Sequence, residues 1–200
     1  MGRKNKAEVR RRQIVESCYR VIAEEGFEKA TLKRIGKEMG VAPSLLMHYF
    51  KSKEDLILAL VDYMVQKMDK TYFQASKGAK TARERLRLYI DKNFNFEIPQ
   101  SVADRVFYGC FYMAIGDERI CNSFRKMYKH DHRLIVKLIT DYMEEEGIGN
   151  LLPDLLSIQI ISYIEGFYLY RVIHGDTQEL KEAVEGFKEL LWKTLEGKKV

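Results

Sequence analysis

Residues 31–50, TLKRIGKEMGVAPSLLMHYF, constrain the fold more than any other stretch of this 200-residue chain. Thr31 can cap a short helix over 32–39, whose Ile35 and Met39 face inward. Gly40 then supplies the left-handed backbone that a sharp bend requires. Pro43 suits the first position of a further helix over 43–49, because the N–H it lacks would have had no partner there. Two short helices held at a steep angle across a glycine form a helix-turn-helix, and Ile35, Val41 and Leu46 supply the wedge that fixes the angle. The outer side of the second helix is small and polar enough to enter the ~12 Å major groove, offering Ser44, Leu45 and His48 to base edges.

The remaining chain reads as helix too. Ile14, Cys18, Val21 and Ile22 form one stripe of a first helix over 8–25, stopped by Gly26 and preceded by a basic arm. Ser52 and Asp55 make a shortened capping box for a fourth helix to about residue 75. Thr81 and Glu84 open a fifth, to about Ile98. A sixth spans 101–115, and its run VFYGCFYMAI is apolar on every side, so protein is expected all round it. A seventh covers 117–146, and an eighth and ninth cover 153–173 and 177–195. The expected class is all-α, with about nine helices, the first three short. A DNA-binding domain is expected over 1–53, and an effector-binding and dimerisation domain over 54–200.

Charge divides at the same point. Through Lys53 the chain has 13 Lys and Arg against 6 Asp and Glu; the remainder has 21 against 23. A basic head on a nearly neutral body suits phosphate, though such heads also merely solubilise. Cys18, Cys110 and Cys121 lie far apart without C-x-x-C spacing, which reads as reduced, buried thiols of a cytoplasmic protein. No 18-residue uncharged stretch could span a bilayer, and the basic start has no apolar segment behind it to form a secretory signal. No cofactor is expected.

The helix-turn-helix and the helix before it resemble the DNA-binding domain of the TetR family of bacterial regulators. The resemblance is carried by Thr31, the run Ile35-Gly36-Lys37-Glu38-Met39-Gly40-Val41, the pair Tyr49-Phe50, and Ser52-Lys53-Glu54-Asp55-Leu56. It covers about residues 8–60, and beyond them holds in length, helix count and Glu165-Gly166-Phe167. It implies phosphate contacts from Thr31, Tyr49 and Lys53, with Phe50 anchoring the recognition helix; Arg11, Arg12 and Pro43 join the expected DNA-binding set. Met47 departs from the Tyr common in the family, and Leu45-Leu46 follow Ser44 where Gly-Thr-Leu is usual. The ending His48-Tyr49-Phe50 looks more like the choline-responsive BetI branch.

The resemblance further implies a homodimer joined by helices eight and nine, a near-palindromic operator with recognition helices ~34–36 Å apart, and release by a small effector. The residues agree in part. LLSIQIISYIEGFYLYRVI is too apolar for a solvent-facing helix, and Gly166 would admit a close backbone. Leu180, Val184, Phe187, Leu191 and Leu195 form a one-sided stripe that could pack in a dimer or within one subunit. For the effector, helices four to seven offer Tyr63, Met64, Phe94, Phe107, Cys110, Phe111, Tyr112, Tyr128 and His132. Aromatic and methionine side chains with a few polar tips suit a hydrophobic, aromatic or cationic ligand, and also suit plain core packing.

Other functions lack their chemistry here. His130 and His132 are two apart on a helix and point about 200° apart, so they cannot share a metal. There is no Gly-rich phosphate loop, G-x-S-x-G or H-E-x-x-H, and Glu144-Glu145-Glu146 reads as a solvated run, so no enzyme is expected. A lipid-binding head would need a broad apolar face that the first helix does not have. A redox sensor built on Cys110 and Cys121 stays open.

Overall fold

A computed structural model describes residues 3–96 and 102–197 of the chain. Among the described residues there are nine α-helices and no strand: α1 (Arg3–Glu25), α2 (Leu32–Met39), α3 (Pro43–Tyr49), α4 (Lys53–Ser76), α5 (Ala82–Asn93), α6 (Val102–Ala114), α7 (Glu118–Glu146), α8 (Pro153–His174) and α9 (Gln178–Leu195). A 3-10 turn at Phe27–Lys29 joins α1 to α2. The chain divides into two units, residues 1–68 with 101–127, and residues 69–100 with 128–200. No described helix is long and apolar enough to cross a membrane.

The first unit carries the helix-turn-helix. α1 starts at Arg3, five positions before the expected 8, because nothing between Arg3 and Arg12 breaks a helix; the basic arm is therefore part of α1, which is not short. Ile14, Cys18, Val21 and Ile22 are buried as their stripe requires, and Gly26, at φ +92°, ends the helix. Thr31 caps α2 by accepting from the Arg34 N–H at 3.1 Å. Gly40 adopts the left-handed region at φ +65°, and its N–H returns to the carbonyls of Gly36 and Lys37. Gly36 answers a second demand: a Cβ there would stand 2.9 Å from the Val41 carbonyl oxygen, so only glycine admits this tight turn unshifted. Ile35 and Leu46 are fully buried and set the angle between α2 and α3.

α6 corrects an expectation. Val106 and Cys110 are buried, but Phe111, Tyr112 and Ile115 are exposed, so protein does not surround its apolar run. The burying work is done by one narrow face, where Gly109 meets Phe27 so closely that a Cβ would lie 2.4 Å from that ring. Apolar composition does not ensure burial, because much of any folded surface is apolar.

In the second unit, α5, α7, α8 and α9 enclose a core around Leu86, Ile90, Phe94, Ile135, Ile139, Ile160, Phe167, Val184 and Leu195. The α9 stripe thus packs within its own chain, with Phe187 stacked on Tyr163 at 3.6 Å. Thr81 and Glu84 form the full reciprocal capping box of α5. α5 stops at Asn93, earlier than expected, where the Asn93 side chain donates back to the Tyr89 carbonyl at 2.8 Å. The expected end at Ile98 and the start of the sixth helix at Ser101 lie outside the described residues.

Candidate nucleic-acid interface

α3 is a seven-residue helix with two unlike sides. Leu46 and Phe50 anchor it in the core, while Ser44, Met47 and His48 project outward at spacings of three and four. Leu45 is half-buried, so the structure places it at the edge of that face instead of its middle. Pro43 and Ala42 are exposed at the helix start. His48 stands edge-on to Tyr49 at 5.3 Å, which limits the directions its ring can take. Met47, 59% exposed, is the outward residue that the sequence reading noted only as a departure; its place on the same face as Ser44 and His48 was the available signal.

Two arginines behave differently from each other. The Arg11 guanidinium donates to the Tyr49 carbonyl and lies 4.2 Å over the Phe50 ring. It therefore closes the C-terminal end of α3 and ties it to α1, a task the sequence did not indicate. Arg12 pairs with Glu16 at 2.9 Å on the exposed side of α1. Thr31 is exposed, and capping uses only its oxygen as acceptor, leaving the hydroxyl proton to donate elsewhere. Tyr49 is half-buried.

Lys53 begins α4 next to Ser52, whose hydroxyl accepts from the Asp55 N–H at 3.1 Å. Its Nζ lies 4.5 Å from the centroid of the Phe27 ring, and its charge reaches the buried thiols of Cys18 and Cys110. Burial nonetheless dominates there and pushes the Cys18 thiol up to about 12. The α1–α2 angle is held by Arg34, which donates to Glu25 on α1 and to Glu38 at 3.1 Å. That pairing holds the Glu25 carboxyl below its usual range.

Of the candidate effector residues, six fall in the first unit and three in the second. In the first, Met64 and Cys110 are buried and Tyr63 meets Tyr19 edge-on at 5.8 Å. Phe107 and Phe111 each stand edge-on to Phe124 at 5.5 Å, while Tyr112 is 76% exposed. In the second, Phe94 is buried against Tyr163, Phe167 and Phe187. His132 has both ring nitrogens occupied, by the Ser157 hydroxyl at 2.9 Å and the Asp154 carboxylate at 3.2 Å. Tyr128 hydrogen-bonds Glu165, whose carboxyl burial raises above its usual range.

A buried cation escaped the sequence reading. Arg171, 2% exposed near the end of α8, grips Asp176 with two bonds and donates to the carbonyls of Asn95 and Phe96 at 3.2 and 3.3 Å. It fastens the segment after α5 to the end of α8.

Comparison with known proteins matches residues 14–60 to bacterial regulatory proteins of the tetR family, and residues 80–196 to the tetracyclin repressor-like C-terminal domain. The chain is 36% identical to the HTH-type transcriptional regulator BetI of Rhizobium meliloti over 97 residues, 48% of each chain, so the match spans about half the length of that relative. A TetR transcription regulator of Haloarcula marismortui superposes with a TM-score of 0.78 at 21% identity, covering 91% of this chain and 96% of that one. A protein of Saccharomonospora viridis described as a transcriptional regulator, solved in complex with choline, gives 0.77 at 18% identity over 91% and 96%. At those identities the structures share the fold.

Proposed function

Because this chain belongs to the TetR family of bacterial regulatory proteins, whose matched relatives are transcriptional regulators and not enzymes, we propose that it is a ligand-released repressor that binds a near-palindromic operator as a homodimer. The observation that carries this is the outer face of α3, where Ser44 and His48 stand free of the core while Arg11, Leu46 and Phe50 hold the helix from behind. Residues through Lys53 would bind DNA, and those from Glu54 on would bind the effector and the second subunit. Arg12, Thr31, Tyr49 and Lys53 would meet phosphates.

The dimer is supported by α8. Leu155, Ile158, Leu169 and Ile173 are 51 to 67% exposed and fall on one stripe with Ser162 and Gly166. A Cβ on Gly166 would meet nothing within 4 Å, so its small size serves no contact inside the subunit. An apolar stripe of this length is costly in water and suits a second copy of itself across a two-fold axis. The two α3 helices would then enter successive major grooves ~34–36 Å apart. The effector would be hydrophobic, aromatic or cationic, as suits the aromatic clusters of both units and the choline seen with the Saccharomonospora viridis protein.

Sedimentation equilibrium tests the assembly. The wild-type chain, 23.5 kDa, is expected to sediment at twice its mass, and Ile158→Glu with Leu169→Glu to give folded monomers that bind DNA weakly. A wild-type monomer that still binds duplex tightly would overturn the homodimer.

A further inference from the structure

The outward face of α3 is not wholly polar. Met47 is 59% exposed and shares the outward face of α3 with Ser44 and His48. Nothing in the local fold asks for a methionine there: Leu46 and Phe50, on the other side, already fill the core at 0 and 1% exposure. An apolar side chain of this size gains only when something apolar covers it. The head around it is strongly basic, with 13 Lys and Arg against 6 Asp and Glu through Lys53, so its charge suits a polyanion. Base edges in the major groove present hydrogen-bonding groups and a single apolar feature, the C5-methyl of thymine.

We propose that Met47 is a specificity residue that selects thymine by packing its side chain against the C5-methyl group at one position in each operator half-site. The proposal rests on the reading of α3 as the recognition helix. Met47 is suited to the role because an unbranched thioether is polarisable and adapts its rotamer to the methyl it meets. Ser44 and His48, three and one residues away on the same exposed face, would read polar edges of the neighbouring pairs. The contact distinguishes an A·T pair from T·A, which polar contact to thymine O4 alone also could, but it does so through the methyl group only.

That difference makes the test clean. Each thymine of the selected operator is replaced in turn by deoxyuridine, which removes the methyl and leaves base pairing intact. Affinity is then measured for wild type, Met47→Ala and Met47→Leu. At one symmetric position the wild type is expected to lose about fourfold per half-site, the worth of one buried methyl. Met47→Ala should bind the thymine operator about that much more weakly and become indifferent to the change, while Met47→Leu should remain sensitive. Selective binding with no uracil effect, or with an effect that Met47→Ala keeps in full, would overturn the role of Met47 alone. A chain that selects no duplex would remove the operator reading and this role with it.

Discussion

Lys53 holds its ammonium 4.5 Å from the centroid of the Phe27 ring, and Phe27 in turn presses on Gly109 of α6. A cation over an aromatic face gains about 0.5–1 kcal/mol at an exposed site and about 2 kcal/mol when desolvated, and Lys53 is half-buried. The ammonium carries three N–H donors, so reaching a phosphate asks it to turn some of them away from the ring. Lys53→Ala should therefore weaken binding about equally on every sequence and flatten the salt dependence by about one ion per subunit. Titrations at several salt concentrations read this directly; an unchanged slope would mean that the ammonium stays on Phe27 in the complex.

Gly109 is the tightest glycine contact in the described chain. Gly109→Ala would drive a methyl into the Phe27 ring, with Cγ at 2.8 Å as well as Cδ2 at 2.4 Å. Overpacking of this kind costs about 1–3 kcal/mol, against about 1 kcal/mol gained from helix propensity. Net destabilisation is expected in denaturant melts. In a Phe27→Ala background the sign should reverse, with Gly109→Ala neutral or stabilising. Equal effects in both backgrounds would show that the ring does not limit the site.

Arg171 sets an acid limit on the second unit. Its two bonds hold the Asp176 carboxyl below the usual aspartate range. A depressed folded pKa contributes stability above about pH 4, the ordinary aspartate value, and that contribution is lost as pH falls through the depressed value. Asp176→Asn should cost about 1–2 kcal/mol at neutral pH, the low end for a charged hydrogen bond because Asp176 is partly solvated. The variant should also lose less stability than wild type on acidification below pH 4. Parallel pH profiles for the two proteins would contradict the assignment.

The three cysteines should differ in reactivity. Cys18 and Cys110 are buried as expected, with raised thiols, whereas Cys121 departs from that expectation and is partly exposed. Since the thiolate is the reactive form, a charged thiol reagent at pH 8 should modify Cys121 alone in the folded protein and all three after unfolding. Fast labelling of Cys110 in the native state would revive a redox role for it.

Much of this was legible in the sequence because local chemistry and packing agree. Thr31, Gly40, Pro43, Ser52 and Thr81 mark helix ends by cap and turn preferences that act over a few residues, and each end lies within about one residue of its expectation. What depends on residues distant in sequence was not legible. Arg11 closing α3, the fit of Phe27 on Gly109 and the grip of Arg171 on Asn95 and Phe96 join positions 38 or more apart. No periodicity announces such pairs. The apolar run of α6 was expected to be covered all round and is not, for a related reason: hydrophobicity reports what a helix can bury, and the exposed faces of α6 and α8 depend on what is available to cover them.

Selection of bound sequences from a random duplex library, with binding followed across salt concentrations, tests the operator-binding role most directly. A near-palindrome with half-sites about one helical turn apart and a steep salt slope is the expected result. Recovery of only weak, sequence-blind binding, unchanged after unfolding and refolding the protein free of ligand, would contradict it.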